Sequence, residues 1–230
     1  ALGELAKQHR SQFSIPIIAL TGSCGKTSSK EMIASILAER GSVLTNFKNF
    51  NNDIGVPLTL LNLNTQHRYA VIEMGANHSG EIAYLTQITQ PNVVLITNIG
   101  PAHLQGFGSM SGVAKAKAEI FSGLAKNGVA IINADDKFTD TLQKASANFR
   151  CVSFGLSDGC DFSATNIQVD VDGKAIFLLH APNGKEMMIR LSLPGQHQVL
   201  NALAAAAASS QVGIELFHIK SGLEKTQPVP

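Results

Sequence analysis

A short glycine-rich segment combines residue types that bind phosphate. It reads T-G-S-C-G-K-T and runs from Thr21 to Thr27. Glycines let the backbone approach phosphate oxygens, and a helix N-terminus presents free N–H groups and the positive end of its dipole. Lys26 adds a mobile positive charge, and the Thr27 hydroxyl can ligate Mg²⁺. The usual P-loop pattern has a glycine five positions before Gly25, where this chain has Leu20, so the loop is the shorter form.

The same letters are compatible with a glycine-rich turn that carries a lysine by chance. The flanks favour a phosphate loop, because the apolar run Ile15–Thr21 precedes it and the helical pattern Lys26–Arg40 follows it. The guanine-reading motif N-K-x-D is absent from the chain, which favours ATP over GTP. The candidate nucleotide ligands in the loop are Thr21, Gly22, Ser23, Cys24, Gly25, Lys26 and Thr27.

Three further residue types stand where they could assist such a loop. Glu73 lies at the end of an apolar run, where a carboxylate would reach the carboxyl edge of a sheet and could hold Mg²⁺ opposite Thr27. The alternative for Glu73 is a helix cap or a surface acid. His103 follows another apolar run at the same edge, and its position leaves a structural and a functional role equally open. For Lys115 and Lys117, spacing alone predicts a solvated helix face.

The elements that would position these residues alternate along the chain. Apolar runs without polar alternation are typical of strands buried on both faces of a parallel sheet. Helical patterns lie between them, so the sequence predicts an α/β fold with a doubly wound, mostly parallel sheet. The predicted strands are Ile15–Thr21, Val43–Thr45, Tyr69–Met74, Val93–Ile99, Val129–Asn133 and Cys151–Phe154, and the predicted helices are Lys26–Arg40, Glu81–Gln87, Ser109–Leu124 and Asp136–Ala147.

After Phe154 the pattern changes. The dipeptides Asp172-Gly173 and Asn183-Gly184 are strong hairpin signals, because both tolerate positive φ. They predict a small antiparallel β meander made of 161–171, 174–180 and 185–191. A helix at about 197–212 and a short one at 215–222 complete the predicted elements.

Composition excludes several classes of protein. Of the 230 residues, 44% are hydrophobic, which is typical of a globular protein and excludes a fully disordered chain. No apolar run approaches the roughly 20 residues that a membrane-spanning helix needs. Lys and Arg number 18 against 17 Asp and Glu, too even a balance for bulk nucleic-acid binding. The three cysteines form no CxxC pair, which argues against a zinc cluster and suits a reducing cytoplasm.

The ends of the chain indicate a piece of a longer protein. The first residue is Ala1, and the last four, Gln227 to Pro230, have the composition of a linker. We therefore expect residues 1–14 to be a linker from an N-terminal domain, 15–226 to be a central domain, and 227–230 to start a second linker. A complete chain with a processed N-terminus is the alternative.

Six motifs in order resemble the central ATPase domain of the Mur ligases, and the resemblance covers nearly the whole chain. Two of them, N-N-D-I-G-V-P and E-M-G-A-N-H-x-G-E-I, are most similar to the family members that add D-alanyl-D-alanine. The motifs are T-G-S-C-G-K-T (21–27), N-N-D-I-G-V-P (51–57), V-I-E-M-G-A-N-H (71–78), T-N-I-G-P-A-H (97–103), G-V-A-K-A-K-A-E-I-F (112–121) and L-P-G-Q-H-Q-V-L-N-A (193–202).

The resemblance implies roles for individual residues. Thr27 and Glu73 would hold one Mg²⁺, and His103 would help to hold a second. Lys117 falls on the lysine that is carbamylated in this family, and a carbamate would turn a cation into an oxygen ligand for that second Mg²⁺. This implication replaces the solvated-face reading for Lys117 and leaves Lys115 unchanged.

The resemblance also implies nucleotide contacts outside the loop. Asn201 would contact adenine, and Asn52 would approach the γ-phosphate. Two departures from the family pattern are Cys24, where serine is common, and Gln198, where P-G-x-H-N has asparagine. Cys24 is tolerable, since that position offers mainly its backbone N–H to the nucleotide. Gln198 puts the details of the adenine contact in doubt.

The implied activity is an ATP-dependent peptide ligation in peptidoglycan synthesis. UDP-N-acetylmuramoyl-tripeptide would be activated as an acyl phosphate and joined to D-alanyl-D-alanine, in a cytoplasmic, monomeric enzyme without nucleic-acid partners or membrane insertion. The chain alone would be the ATP-binding part and inactive in ligation. The alternatives are a folylpolyglutamate synthase-like ligase, which shares the P-loop and the lysine, and a nucleotide-binding module without catalysis.

Overall fold

A six-stranded parallel sheet forms the centre of the computed structural model, which describes residues 1–102 and 104–227. The strands lie in the order β2-β3-β1-β4-β5-β6, and every neighbouring pair is parallel. The strands are β1 (Ile17–Thr21), β2 (Val43–Thr45), β3 (Tyr69–Glu73), β4 (Val93–Ile96), β5 (Val129–Asn133) and β6 (Arg150–Phe154).

Nine α-helices are seen in the described part of the chain, and most of them connect the strands. A 3₁₀ turn at Glu119–Gly123 continues the sixth helix. The helices are α1 (Leu2–Arg10), α2 (Lys26–Ala38), α3 (Gly55–Leu61), α4 (Glu81–Thr89), α5 (Leu104–Phe107), α6 (Met110–Ala118), α7 (Thr139–Ala145), α8 (Gln198–Ser210) and α9 (Leu216–Lys225).

The sheet separates two hydrophobic cores, because successive side chains of a strand point to opposite faces. In β1, Ile18 and Leu20 pack into a core with α2, α8 and α9, whereas Ile17 and Ala19 pack into a core with α1, α3, α4, α6 and α7. All five β1 residues are buried. The uninterrupted apolar runs in the sequence therefore reflect burial on both faces.

The strand order places a topological switch point between β1 and β4. From β1 the chain runs through α2 to the β2 edge, whereas from β4 it continues to β5 in the opposite direction. Open α/β sheets bind ligands in the crevice outside such a point, at the carboxyl ends of the strands. The glycine-rich loop follows β1, so it lies at this crevice.

A separate three-stranded antiparallel sheet packs on the α8 and α9 side. It consists of β7 (Ser163–Val169), β8 (Lys174–Ala181) and β9 (Lys185–Pro194). In the β8–β9 turn, Asn183 and Gly184 have φ of 65° and 69°, as a two-residue hairpin requires. In the β7–β8 turn the positive φ, 76°, falls on Gly173. The predicted meander is confirmed.

The predicted α/β fold class is confirmed, and two helices go beyond the prediction. Residues 2–10, within the segment expected to be a linker, form α1, and Gly55–Leu61 forms α3. The buried Arg10 holds α1 in place by donating to the carbonyls of Thr89 (2.9 Å) and Gln90 (3.1 Å) at the end of α4. Among the described residues, no helix is both long and apolar enough to cross a membrane.

Candidate active site

The glycine-rich loop turns sharply into α2 at Gly25. This residue has φ 77°, in the left-handed region that favours glycine, and it stands at the N-cap of α2. A Cβ at Gly25 would overlap the Asn201 side chain of α8, and one at Gly22 would overlap the Thr97 hydroxyl. Both glycines are therefore required by the close approach of neighbouring side chains.

Residues that follow β4 brace the loop. Asn98 accepts a hydrogen bond from the Cys24 N–H (2.9 Å) through Oδ1 and donates to the Cys24 carbonyl (3.0 Å) through Nδ2. Thr97 also donates to the Cys24 carbonyl, at 2.7 Å. Ser23 donates from its backbone N–H to the Asn98 carbonyl at 3.0 Å and from its hydroxyl to the Gly100 carbonyl at 3.0 Å. The exposed Cys24 thus has its N–H engaged within the protein.

The Lys26 and Thr21 side chains point in different directions. Lys26 Nζ donates to the carbonyls of Gly22 (2.8 Å) and Ser23 (3.4 Å), so the ammonium lies over the loop. The Thr21 hydroxyl is buried and donates to the Met74 carbonyl at 2.8 Å, which ties the end of β1 to β3. Lys26 is therefore placed to meet an anion in the loop, whereas the Thr21 side chain is structural.

Glu73 and Thr27 come together as the sequence analysis expected. The Thr27 hydroxyl donates to Glu73 Oε2 at 3.1 Å, across the gap between α2 and β3. Glu73 is buried, with 2% of its surface exposed. Lys30 Nζ, equally buried, lies 4.0 Å from the same oxygen and 3.1 Å from Glu31 Oε1. A hydroxyl and a carboxylate oxygen therefore face each other beside the loop.

Two asparagines that the sequence analysis did not single out hold Glu73. Asn51 donates to Glu73 Oε1 at 2.8 Å. Asn46 accepts from the Glu73 N–H at 2.7 Å and donates to the Glu73 carbonyl at 3.2 Å. The available signal was the asparagine-rich run N-F-K-N-F-N-N after β2, which faces β3 in a parallel sheet.

Lys117 lies beside the loop and is buried, contrary to the reading from spacing alone. Only 1% of its surface is exposed, whereas Lys115 on the same helix is exposed as predicted. Burial, and after it the positive charge of Lys26, lowers the pKa of Lys117 from 10.5 to about 8. The described residues give its amine no hydrogen-bond partner, although the Phe107 ring lies 5.9 Å away.

A cavity of about 310 Å³ lies between the glycine-rich loop and Lys117. Its walls include Lys26 of the loop, Lys117 of α6 and Glu81 of α4, together with Asn51 and Asn52. Asn52 Oδ1 accepts hydrogen bonds from the N–H groups of Ile54 (3.3 Å) and Gly55 (2.9 Å), which gives its side chain a structural role just before α3, at the cavity edge. His103 lies outside the described residues.

Asn201 borders a second, smaller cavity of about 150 Å³ on the other side of the loop. Cys24, Gly25 and Phe154 also line it. Asn201 Nδ2 donates to Gln198 Oε1 at 2.8 Å, and Asn201 Oδ1 accepts from the Ser29 hydroxyl at 3.4 Å. Gln198, the departure noted in the sequence, therefore orients Asn201.

Comparisons with known proteins identify the family of the chain. Residues 20–209 match the model of the Mur ligase middle domain. The chain is 52% identical to the UDP-N-acetylmuramoyl-tripeptide–D-alanyl-D-alanine ligase of Haemophilus influenzae, over 100% of this chain and 50% of that relative. It thus spans about half the length of the curated relatives it matches.

Solved structures give the same result. The crystal structure of MurF from Acinetobacter baumannii has a TM-score of 0.95 at 44% identity, covering 99% of this chain and 50% of that one. MurF ligase from Thermotoga maritima, in complex with ADP, has a TM-score of 0.82 at 28% identity, covering 100% of this chain and 52% of that one. With the family model matching most of its length, the chain belongs to the Mur ligase family.

Proposed function

We propose that the chain is the ATP-binding part of an ATP-dependent peptide ligase that joins D-alanyl-D-alanine to UDP-N-acetylmuramoyl-tripeptide in peptidoglycan synthesis. The observation that carries the proposal is the hydrogen bond between Thr27, at the start of the helix after the loop, and the buried Glu73 at the end of β3. The choice of these two substrates is supported by the similarity to the ligase of Haemophilus influenzae and to the MurF structure from Acinetobacter baumannii. The corresponding enzyme is cytoplasmic and monomeric in this proposal.

The nucleotide is proposed to lie across the loop, between the two cavities. The phosphates face Gly22–Thr27 and the ammonium of Lys26, because a helix N-terminus favours anions. The base enters the cavity beside Asn201, which Gln198 holds in one orientation. ADP in the structure of the relative from Thermotoga maritima supports an adenine nucleotide.

The residues at the loop fit a magnesium ion. Thr27 and Glu73 offer oxygen atoms, which Mg²⁺ prefers, and phosphate oxygens would complete the coordination. No group of three His, Cys, Asp or Glu side chains able to hold a metal is found in the parts of the chain described. When bound, the metal neutralises charge on the transferring phosphoryl group.

A carbamate on Lys117 is proposed as an oxygen ligand for a second magnesium, with His103 as its partner. Carbamate formation needs a neutral amine, and burial lowers the pKa of Lys117 to about 8, which makes the neutral form more accessible than in a free lysine. The amine also borders the cavity that contains Lys26. The lowered pKa of Lys117 and its position at the cavity therefore favour formation of a carbamate on its amine.

The proposed reaction has two steps. A carboxylate oxygen of the tripeptide attacks the γ-phosphorus and ADP leaves; the amine of the dipeptide then attacks the acyl carbon and phosphate leaves. Lys26 offsets charge on the phosphates in the first step, and the protein acts mainly by positioning its substrates.

The two alternatives receive less support. A folylpolyglutamate synthase-like ligase is disfavoured by the 52% identity to a D-alanyl-D-alanine-adding ligase over the whole chain. A module without catalysis is disfavoured by the intact Lys26, Glu73 and Lys117 and by the neutral amine that burial favours.

Calorimetry with the purified chain tests the nucleotide site. With Mg²⁺ present, ADP should bind more tightly than GDP, and Lys26→Ala should weaken ADP binding at least tenfold. Lys115→Ala is the matched control, because this lysine is exposed on α6, and it should bind ADP as the parent chain does. Equal affinity for ADP and GDP, or no binding of either, would refute the assignment.

A further inference from the structure

The two oxygens of the Glu73 carboxylate have different neighbours. Oε1 accepts a hydrogen bond from Asn51 Nδ2 at 2.8 Å. Oε2 faces α2, where it accepts from the Thr27 hydroxyl at 3.1 Å and lies 4.0 Å from Lys30 Nζ. One oxygen is thus held by an uncharged amide, and the other points to the loop that is proposed to bind nucleotide.

Asn51 is attached to β3 at a second point, which limits its freedom to turn away. Its carbonyl accepts from the Gly75 N–H at 2.8 Å. Its side chain also fills the space beside Gly75, since a Cβ there would lie 2.6 Å from Asn51 Oδ1. The amide is therefore fixed against the end of the strand that carries Glu73.

Asn46 holds the backbone of Glu73 and so fixes the point from which its side chain starts. It accepts from the Glu73 N–H and donates to the Glu73 carbonyl, and only 3% of its surface is exposed. The backbone of Glu73 is thus held by Asn46, and its carboxylate oxygen Oε1 is held by Asn51.

We infer that Asn51 is a positioning residue, which engages Glu73 Oε1 and thereby keeps Oε2 directed at the magnesium of the bound Mg-nucleotide. The inference rests on the proposed function. Groups that orient a metal ligand in this way typically change metal affinity 10–100-fold when they are removed. Asn51 acts through Glu73, so its effect must depend on that residue.

The test measures magnesium binding by calorimetry instead of catalysis. ADP affinity is measured for the 230-residue chain in EDTA and across a Mg²⁺ titration. Asn51→Ala should raise the Mg²⁺ concentration needed for tight ADP binding on the order of 10–100-fold, and should leave the affinity in EDTA within about twofold of the parent chain. Asn62→Ala is the matched control, because Asn62 is exposed at the end of α3.

A double-mutant cycle separates positioning from general damage. In a Glu73→Ala background, Asn51→Ala should have no further effect on the Mg²⁺ requirement, because the residue it positions is gone. An additional effect of the same size there, or an unchanged Mg²⁺ requirement in Asn51→Ala, would overturn the inference and leave the proposed function standing.

Two remaining outcomes are also decisive. If the parent chain binds ADP with no contribution from Mg²⁺, the magnesium assignment and the inference fail together. If Asn51→Ala does not fold, Asn51→Ser serves instead, since its shorter side chain also withdraws the amide from Oε1, and the same increase in the Mg²⁺ requirement is expected.

Discussion

Asparagine side chains shape the candidate site more than charged ones do. Asn46 clasps the backbone of Glu73, Asn98 clasps the backbone of Cys24, and Asn133 donates to the Thr97 carbonyl at 3.1 Å. Each follows or ends a strand of the parallel sheet. An amide offers one acceptor and two donors, so it can continue strand-like pairing where the backbones diverge. The crevice therefore keeps its shape without further buried charge.

The buried amine of Lys117 makes stability depend on pH. Its pKa is lowered from 10.5 to about 8, first by burial and then by Lys26, while Glu119 and Glu81 oppose the shift. Below pH 8 both folded and unfolded chains hold the proton, and folding bears the full cost of the buried charge. Between pH 8 and 10.5 the unfolded chain binds more protons than the folded one, so stability rises with pH in this range.

Replacing Lys117 by methionine should therefore stabilise the chain at neutral pH. The difference between 10.5 and about 8 corresponds to about 3 kcal/mol, which is an upper bound for the gain at pH 7. The increase in stability between pH 8 and 10.5 should be absent from this variant. Urea unfolding at pH 7, 9 and 10.5, in buffer freed of carbon dioxide, measures both effects.

Lys115→Met provides the comparison, since it removes the same charge from the exposed face of α6. This variant should keep the pH dependence of the parent chain. If Lys117→Met instead lowers the unfolding free energy at pH 7 and retains the rise with pH, the amine is not held in a desolvated state.

At the level of residues, the sequence predicted which residue types meet at the candidate site better than it predicted which side chains form hydrogen bonds with each other. The motif spacing predicted the approach of Thr27 to Glu73, because two strand ends in a parallel sheet share an edge. It could not predict that Asn51, and not Asn52, donates to Glu73, since adjacent residues in a loop differ only in the direction of their side chains. The burial of Lys117 was likewise invisible to spacing alone.

At the level of elements, uninterrupted apolar runs were the reliable signal. They predicted the four inner strands of the parallel sheet, which are covered on both faces. The edge strands β2 and β6 are only partly buried and were predicted from shorter apolar segments. Helices α1 and α3, of 9 and 7 residues, were missed, and they pack against each other. Residues 2–10 were assigned to a linker although they form an amphipathic helix. The start of α3 was interpreted only as part of the motif at 51–57.

Helix α9 packs unusually closely on α2, the helix that starts at the glycine-rich loop. Gly222 allows this approach, because a Cβ at this position would overlap the Ile36 backbone. The Ser35 hydroxyl donates to the Gly222 carbonyl at 2.7 Å. Lys225 Nζ lies 2.8 Å from Glu39 Oε1. The contact therefore involves backbone and cannot be relieved by moving one side chain.

Gly222→Ala should consequently destabilise the chain, despite the higher helix propensity of alanine. Overpacking of a close contact costs about 1–3 kcal/mol, which exceeds the roughly 1 kcal/mol that alanine gains over glycine in a helix. Urea unfolding should show a lower free energy of unfolding for Gly222→Ala than for the parent chain.

Gly3→Ala is the matched control, because Gly3 also lies within a helix but faces the Tyr84 hydroxyl. Tyr84 is 40% exposed and can swing outward, so Gly3→Ala should change stability by less than about 1 kcal/mol. Equal effects of the two substitutions would show that the α2–α9 contact can adjust.

At the scale of the whole molecule, we expect folding and the proposed ligation to depend on different parts of the protein. Both hydrophobic cores are closed by elements of this chain, with α1, α3, α4, α6 and α7 covering one face of the sheet and α2, α8, α9 and the β meander covering the other. The two cavities beside the glycine-rich loop, where we propose that the nucleotide binds, are also lined by this chain. The chain spans about half the length of its curated relatives, and we propose that the other two substrates are held mainly by the remaining half.

We therefore expect the 230-residue chain to fold and bind ADP, but not to ligate. Correct placement of two reactants can account for roughly 7–11 kcal/mol of a barrier, and the chain alone would lose most of this contribution. ADP affinity should lie within tenfold of that of the complete reading frame, whereas ligation should be lower on the order of a thousandfold or more. The measurement is ADP release with and without UDP-N-acetylmuramoyl-tripeptide and D-alanyl-D-alanine, for both proteins in parallel. Substrate-dependent turnover by this chain within tenfold of the longer protein would mean that the substrates bind here.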